Sequence, residues 1–217
     1  MIQYILFDLD GTLTDSGPGI VNAIQYALLH LGMEKEDPAV LHRSFIGPPL
    51  TVSFPQVYGF SPEKTAEAIA LFHEYYDQQG IYENQPYPGI PTLLAQLKKA
   101  GKQVALATSK PLNLAERVLS HFDLRQYFDQ VCGGSMDGSR NAKREVIEDA
   151  LHALPVQELS QAVMVGDRYL DVEGAHANGL SCIGILYGGY GTREEMEAAK
   201  ADFIAADVVE LTKLLLG

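Results

Sequence analysis

The sequence predicts an α/β fold with a parallel sheet and a helical segment inserted after the first strand. Short apolar runs without polar alternation recur along the chain, as is typical of strands buried on both faces. Helical spacing of apolar residues separates the later runs, which favours strand–helix alternation. The interval 14–88 breaks this alternation and has helical spacing almost throughout. The four apolar runs are residues 3–7, 103–107, 162–165 and 181–186.

Helices are predicted on either side of the second run and before the third. Their apolar positions are Leu93, Leu94, Leu97 and Ala100, then Leu114, Val118 and Leu119, then Val146, Ile147, Ala150 and Leu151. Within the inserted interval the helical positions are Ile20, Ile24, Ala27, Leu28 and Leu31, then Ala66, Ile69, Ala70, Phe72 and His73.

Proline and glycine set the expected boundaries of the inserted segment. Pro38, the turn at residues 47–49, Pro55 and Pro62 are expected to separate its helices, and residues 86–89 are expected to be the return linker. The sequence therefore predicts a core domain of residues 1–14 and 88–217. Residues 15–87 are expected to form a separate helical domain.

Composition restricts the partners. The 217 residues carry a formal net charge of −12 and are 47% hydrophobic. Such an acidic surface repels phosphate backbones and anionic lipid, so neither nucleic acid nor a membrane surface is expected as a partner. The two cysteines are expected to be small buried hydrophobic residues and not part of a disulfide framework. No signal peptide or membrane span is recognised, and a cytoplasmic protein is predicted. Either a monomer or a homodimer is compatible with the sequence.

Polar segments follow the apolar runs, where ligands bind in open α/β sheets. They are residues 8–12 (Asp-Leu-Asp-Gly-Thr), 108–110 (Thr-Ser-Lys), Lys143 at a predicted helix start, and 166–171, which contains Gly166, Asp167 and Asp171. Each segment alone would be an ordinary loop or a solvated helix residue. In this order and these strand contexts, together they indicate a site.

The acidic side chains of this set require a counter-charge. If Asp8, Asp10 and Asp167 converge, each close pair costs about 4 kcal/mol at an effective dielectric of 20. Oxygen ligands with no nearby His or Cys favour Mg²⁺ over zinc. Lys143 would add positive charge, Thr108 a hydroxyl donor, and Gly11 room for a ligand to approach the backbone. Asp171 could orient Asp167 or contact a metal-bound water.

The pattern resembles the haloacid dehalogenase superfamily, in its phosphatase branch. Residues 8–12 match the family's first motif, Thr108 its second, Lys143 its third, and residues 166–171 its fourth. The interval 15–87 resembles the family's α-helical cap, and the resemblance implies a Rossmann-like core. Phosphoglycolate phosphatases and related small-molecule phosphatases are the members most similar to this chain at residues 108–111, 47–50 and 184–191. The third motif departs from the Lys-Pro of many relatives.

The resemblance implies the roles of the matched residues. Asp8 would be the nucleophile and Asp10 the general acid and base, while Thr108 and Lys143 would hold the phosphoryl group. The magnesium ligands would be Asp8, Asp10 through its backbone carbonyl, Asp167 and Asp171. Residues proposed to bind phosphate or substrate are Gly11, Thr12, Ser109, Lys110 and Arg43.

The substrate is expected to be a small phosphorylated metabolite, such as a phosphoglycolate-like compound, a nucleotide or a sugar phosphate. Arg43 and the adjoining turn at residues 47–50 are the candidate substrate contacts in the inserted segment, and Arg168 could buttress its loop or be solvated. A sugar-phosphate mutase and a non-catalytic phosphoryl-binding module remain alternatives. A dehalogenase is disfavoured because Asp10 supplies the acid–base group that phosphoryl transfer requires. A phosphatase that acts on protein phosphotyrosine is disfavoured because a cap favours small substrates.

Overall fold

The computed structural model describes residues 2–136 and 138–217. These residues form two compact units. One unit comprises the chain up to Thr14 together with Pro86–Gly217, and the other comprises Asp15–Gln85.

The first unit is built on a six-stranded parallel sheet, which confirms the predicted α/β fold. Its strands lie in the order β3-β2-β1-β4-β5-β6. Consecutive residues of the central strands are buried, as expected when helices cover both faces of a sheet. The strands are β1 (Tyr4–Phe7), β2 (Gln103–Pro111), β3 (Gln130–Gly134), β4 (Ala162–Gly166), β5 (Ser181–Ile185) and β6 (Phe203–Ala205).

The order of the strands places a switch point between β1 and β4. From β1 the chain proceeds outward to β2 and β3, and it then returns to begin β4 on the other side of β1. Phe7 pairs in register with Leu106 of β2 and with Val165 of β4. The residues that follow these three positions therefore emerge side by side at the carboxyl edge of the sheet, where open α/β sheets bind ligands.

Two strands of the sheet, β3 and β6, were not predicted from the sequence. β3 contains two glycines and is only partly buried, and β6 has three residues at the edge of the sheet. Neither gives the continuous apolar run of four or more residues that identified the central strands. The ten α-helices of the described residues are α1 (Gly17–His30), α2 (Pro38–Phe45), α3 (Leu50–Tyr58), α4 (Pro62–Tyr76), α5 (Ile90–Lys99), α6 (Leu112–His121), α7 (Lys143–Ala153), α8 (Tyr169–Ala177), α9 (Arg193–Ala198) and α10 (Val208–Leu216).

The second unit contains α1 to α4. Pro38 and Pro62 are the first residues of α2 and α4, where a missing backbone N–H costs little. The expectation that Pro55 separates two helices is wrong, because Pro55 lies inside α3. A short helix tolerates this proline when packing compensates, and here Phe54 is fully buried against Phe45 with ring centroids 5.0 Å apart. Among the described residues, no helix has the length and apolarity needed to cross a bilayer.

Candidate active site

The loop after β1 carries the first group of predicted site residues. The carbonyl of Leu9 accepts hydrogen bonds from the amides of Thr12, Leu13 and Thr14, which closes a tight turn. Gly11 adopts a φ of +84° in this turn, a conformation that favours glycine. A Cβ atom at Gly11 would also overlap the Asp167 carboxylate. The turn therefore brings the backbone after Asp8 directly against the loop after β4.

Three carboxylates meet at this edge of the sheet. Asp8, Asp167 and Asp171 each offer an oxygen, and these oxygens lie within 4.8 Å of one another. All three side chains are buried. Asp8 directly follows β1 and Asp167 directly follows β4, so the strand pairing brings them together. Asp171 lies in the first turn of α8, which begins right after that loop.

Lys143 is the cation of this group. Its Nζ lies 2.5 Å from Asp8 Oδ1 and 2.9 Å from Asp171 Oδ1. It also donates a hydrogen bond to the carbonyl of Ala107, at 3.3 Å. Lys143 begins α7 and is buried, whereas its neighbour Arg144 is exposed. The structure therefore places Lys143, and not Arg144, against the carboxylates.

Burial dominates the electrostatics of the group. It raises the pKa of Asp8 to about 6, with a smaller upward effect from Asp171 and an opposing downward effect from Lys143. Burial, followed by the charges of Asp171 and Asp8, also raises the pKa of Asp167 well above its ordinary value. For Lys143, burial acts to lower the pKa, but the attraction of Asp171 and Asp8 outweighs it and the net shift is upward. The positive charge of Lys143 therefore does not fully compensate the negative charge of the ionised carboxylates.

The loop between β4 and α8 fixes Asp171. Its Oδ2 accepts a hydrogen bond from the amide of Arg168 at 3.1 Å, which caps the start of α8. A Cβ atom at Gly166 would overlap the Asp171 carboxylate, so the glycine leaves the space that this side chain occupies. The side chain of Arg168 is itself paired with Glu195, with Nε 2.9 Å from Oε1. Arg168 thus buttresses its loop.

Asp167 is held by Thr12. The Thr12 hydroxyl donates to Asp167 Oδ1 at 3.0 Å, while Asp167 Oδ2 is buried without a hydrogen-bond partner. The Thr12 amide donates to Leu9, and the Gly11 amide donates to the Thr14 carbonyl at 2.8 Å. Both donors of Thr12 and the amide of Gly11 are therefore engaged within the protein.

Asp10 lies outside the group of three carboxylates. Lys110 Nζ contacts both oxygens of the Asp10 carboxylate, at 3.0 and 3.1 Å. Both side chains of this pair are largely buried, with 6% of Lys110 and 18% of Asp10 exposed. Thr108 is buried and its hydroxyl accepts a hydrogen bond from the Lys110 amide at 3.2 Å, whereas Ser109 is partly exposed. The carboxyl end of β2 therefore contacts Asp10, which lies two residues after Asp8 in the loop that follows β1.

The remaining predicted residue, Arg43, is exposed on α2 of the second unit. Two contacts to the site loops were missed by sequence reasoning. Tyr187 donates its hydroxyl to the Thr12 carbonyl at 2.8 Å, and Glu195 accepts from the Tyr169 amide at 2.9 Å. Tyr187 lies in the loop after β5 and Glu195 lies in α9, and a lone tyrosine or glutamate at such a position gives no local signal of such a role.

The group fits a hard divalent cation. Three ionised carboxylates against one ammonium would leave two negative charges uncompensated in a buried place. The ligand atoms are carboxylate oxygens, and neither histidine nor cysteine belongs to this group. The orphaned Asp167 Oδ2 is the clearest sign of a missing positive partner. Oxygen-only ligands of this kind suit magnesium, calcium or manganese.

Comparison with known proteins identifies the family. Residues 5–185 match the family model described as haloacid dehalogenase-like hydrolase. A 5'-nucleotidase from Pseudomonas aeruginosa is 40% identical over 97% of this chain and 94% of its own length. The tyrosine-protein kinase PtkA from Mycobacterium tuberculosis is 38% identical over 98% of this chain and 72% of its own. A phosphoglycolate phosphatase from Vibrio cholerae is 31% identical over 99% and 97%.

Solved structures agree with this result. The crystal structure of a predicted phosphatase from Clostridium acetobutylicum has a TM-score of 0.94 and 42% identity, and the match covers 100% of this chain and 99% of that one. The resemblance drawn from the motifs is thereby confirmed. The chain belongs to the haloacid dehalogenase-like hydrolase family and is a phosphatase of that family.

Proposed function

We propose that this phosphatase hydrolyses small phosphomonoesters with the help of Mg²⁺ and passes the phosphoryl group through Asp8. The observation that carries the proposal is the buried cluster of Asp8, Asp167, Asp171 and Lys143 at the switch point of the sheet. Three acids and one ammonium in so little space cost free energy unless a further cation joins them. Buried clusters of strongly perturbed titratable groups are typical of sites that carry out a reaction.

Asp8, Asp167 and Asp171 would hold the cation, with the backbone carbonyl of Asp10 as a further ligand implied by the family resemblance. Direct contact and contact through water are both possible for Asp171, because Lys143 and the Arg168 amide already engage it. When bound, the cation would neutralise charge and polarise a phosphoryl oxygen. Lys143 would supply a second positive charge through its contact with Asp8.

The chain's own residues would carry out two steps. In the first, an oxygen of Asp8 bonds to phosphorus, the bond to the ester oxygen breaks, and Asp10 protonates the departing alcohol. In the second, Asp10 takes a proton from water, and the water oxygen displaces Asp8 from phosphorus to release inorganic phosphate. Thr108 and Lys143 would hold the phosphoryl oxygens in both steps. Lys110 would keep the Asp10 carboxylate in place, as it does in the structure.

The names of two relatives support a proposal for the substrate class. One relative is named a 5'-nucleotidase and another a phosphoglycolate phosphatase, so both nucleoside monophosphates and small phosphorylated acids are candidates. We further propose that the second unit, residues 15–85, selects among them as a cap domain. Its exposed Arg43, on the helix that precedes the turn at residues 47–50, is the proposed contact for an anionic substrate group.

A panel of phosphorylated compounds tests the proposal. With Mg²⁺ present, the protein should release inorganic phosphate from at least one of a nucleoside 5'-monophosphate, 2-phosphoglycolate or a sugar phosphate, and from nitrophenyl phosphate. Chelator should stop release, and added Mg²⁺ should restore it, because the three acids would otherwise repel the substrate. Calcium should inhibit, since its larger and looser coordination displaces the nucleophile. Phosphate release by malachite-green detection and nitrophenolate absorbance measure these effects.

The same panel distinguishes the rival functions. A mutase would isomerise a sugar phosphate with little release of phosphate, and a binding module would bind ligands without turnover. Because one relative is named a tyrosine-protein kinase, the panel includes ATP with a tyrosine peptide. Hydrolysis by the wild type with full activity in metal-free buffer would contradict the magnesium proposal. Label transferred from ATP to the peptide, without hydrolysis of any monoester, would contradict the phosphatase.

Stabilisation by Mg²⁺ should depend on pH. The pKa of Asp8 is raised from 3.8 to about 6 in the folded chain, so its contribution to the free energy of unfolding falls as pH rises from about 4 to about 6. A bound cation would favour the ionised form and offset this loss. We therefore expect saturating Mg²⁺ to raise the melting temperature more at pH 7.5 than at pH 5, where protons compete for the carboxylates. Differential scanning fluorimetry with and without chelator measures the difference, and an Asp167→Asn variant should show a much smaller increase at pH 7.5.

A further inference from the structure

The segment between β5 and α9 packs on both loops that carry the proposed metal ligands. The Tyr187 hydroxyl donates a hydrogen bond to the Thr12 carbonyl at 2.8 Å. The Thr12 hydroxyl in turn donates to Asp167 Oδ1 at 3.0 Å. Two hydrogen bonds in series therefore join Tyr187 to the carboxylate, and both Thr12 and Asp167 are almost completely buried.

Close backbone packing fixes the segment on these loops. A Cβ atom at Gly188 would overlap the Gly11 carbonyl oxygen, and one at Gly191 would overlap the carbonyl oxygen of Asp167. The two glycines therefore let the segment lie directly against the loop after β1 and the loop after β4. Such contacts leave little freedom for the tyrosine between β5 and the first of these glycines.

Tyr187 is itself held by a second tyrosine. The ring of Tyr87 packs edge-on against it, with centroids 5.4 Å apart and an interplanar angle of 73°. The Tyr87 hydroxyl donates to the Gly188 carbonyl at 3.2 Å. Burial, with a smaller effect from Asp167, raises the pKa of Tyr187, so the phenol stays protonated and remains a donor. The ring and its hydroxyl thus have a defined place.

The arrangement assigns different roles to the two oxygens of Asp167. Oδ1 is occupied by the Thr12 hydroxyl, and Oδ2 is buried without a hydrogen-bond partner. Rotation of the carboxylate would exchange the two oxygens, and the hydrogen bond from Thr12 opposes that rotation. Loss of a group that orients a metal ligand in this way typically costs about 10- to 100-fold in metal affinity or activity.

We propose that Tyr187 is a positioning residue for the metal site, acting through Thr12 to keep Asp167 Oδ2 available to the cation. The inference rests on the proposed function, because it takes Asp167 as a ligand of the cation. It adds to that function a residue from outside the matched motifs, and it predicts an effect on metal affinity that exceeds the effect on the chemical steps.

Tyr187→Phe removes the hydroxyl and keeps the ring. We expect the variant to bind Mn²⁺ about tenfold more weakly than the wild type, because contacts that orient metal ligands typically contribute that much. The affinity for Mn²⁺ is measured by titrating the protein with Mn²⁺ and following the free ion by electron paramagnetic resonance, which requires no turnover. The Mg²⁺ concentration for half-maximal phosphatase activity should rise by a similar factor, while kcat at saturating Mg²⁺ falls less than the affinity does.

Tyr4→Phe is the matched control. The Tyr4 hydroxyl also donates to a backbone carbonyl, that of Pro155, at 2.9 Å, but Tyr4 lies at the amino end of β1, away from Asp8. Its loss should lower the melting temperature without changing Mn²⁺ affinity. Thr12→Ser should keep Mn²⁺ affinity close to that of the wild type and Thr12→Val should weaken it. Tyr187→Phe should have little further effect in the Thr12→Val background, since both changes interrupt one chain of hydrogen bonds.

The outcomes separate this inference from the proposed function. Suppose that the wild type binds Mn²⁺ and needs Mg²⁺ for activity, but that Tyr187→Phe binds Mn²⁺ with equal affinity. This result would overturn only the role of Tyr187. So would fully additive effects of Tyr187→Phe and Thr12→Val, or a loss of kcat with unchanged affinity. If Tyr187→Phe does not fold, an unchanged affinity in Thr12→Val overturns the inference by itself. A wild type that binds no Mn²⁺ overturns both.

Discussion

Asp8→Asn should abolish turnover of every substrate in the panel, with a loss of at least about 10⁴-fold in kcat, as expected when a nucleophile that acts with other groups is removed. The amide cannot form the acyl phosphate, so neither a better leaving group nor a higher pH should restore the rate. The loss should be equal for alkyl and aryl phosphates, because the missing group attacks phosphorus in both. Steady-state release of phosphate and of nitrophenolate measures it.

Folding of this variant is expected to be intact, which makes the loss interpretable. Burial raises the pKa of Asp8 to about 6, so the ionised side chain is a cost to the metal-free protein at pH 7.5. The neutral amide removes that cost, and Lys143 retains Asp171 as a partner at 2.9 Å. The melting temperature in chelator should therefore equal or exceed that of the wild type. Residual turnover above about 1% in a folded variant would exclude Asp8 as the nucleophile, since removal of one costs far more than that.

The sequence was most informative where a strand ends in a polar residue. Asp8 and Asp167 could be placed side by side because β1 and β4 are uninterrupted apolar runs whose carboxyl ends must share one edge of a parallel sheet. Lys143 followed from its position before an apolar helix face. In each case a local pattern fixed the backbone, and the backbone determined where the side chain lies.

Contacts that depend on packing between distant segments could not be predicted in this way. Lys110 and Asp10 are 100 residues apart, and their pairing depends on the side-chain conformations at the end of β2 and in the loop after β1. Tyr187 contacts Thr12 across 175 positions, through a loop whose path is set by glycines at close backbone approaches. Neither contact leaves a periodic pattern in the sequence. The same applies to β6, which is too short to have one.

The Lys110–Asp10 contact bears directly on the second catalytic role. Lys110 holds both oxygens of the Asp10 carboxylate, at 3.0 and 3.1 Å, and the pair lies outside the cluster that contains Asp8. Asp10→Asn is close in shape and keeps an oxygen for Lys110, so the side chain should stay in place. The change should then remove proton transfer with little change in geometry. This makes the variant a test of chemistry and not of packing.

Asp10→Asn should separate the two steps of the reaction. An alkyl phosphate needs its leaving oxygen protonated, so its turnover should fall by about 10² to 10⁴, the usual contribution of a general acid. Nitrophenolate leaves as a stable anion, so the first step should survive with nitrophenyl phosphate. Water attack on the phosphorylated Asp8 would lack its base and become rate-limiting. Stopped-flow absorbance should therefore show a burst near one nitrophenolate per enzyme, followed by a slow steady rate.

The covalent species formed in that burst identifies the nucleophile. Rapid-quench mass spectrometry of Asp10→Asn should find one added phosphate on the peptide that contains Asp8. The double variant with Asp8→Asn should give neither burst nor adduct, because the acceptor is gone while the Lys110 contact remains. Phosphate found on Thr108 or Ser109, or steady turnover with no covalent species, would contradict the assignment. If the alkyl phosphate gave an equally large burst of released alcohol, Asp10 would not be the group that protonates the leaving oxygen.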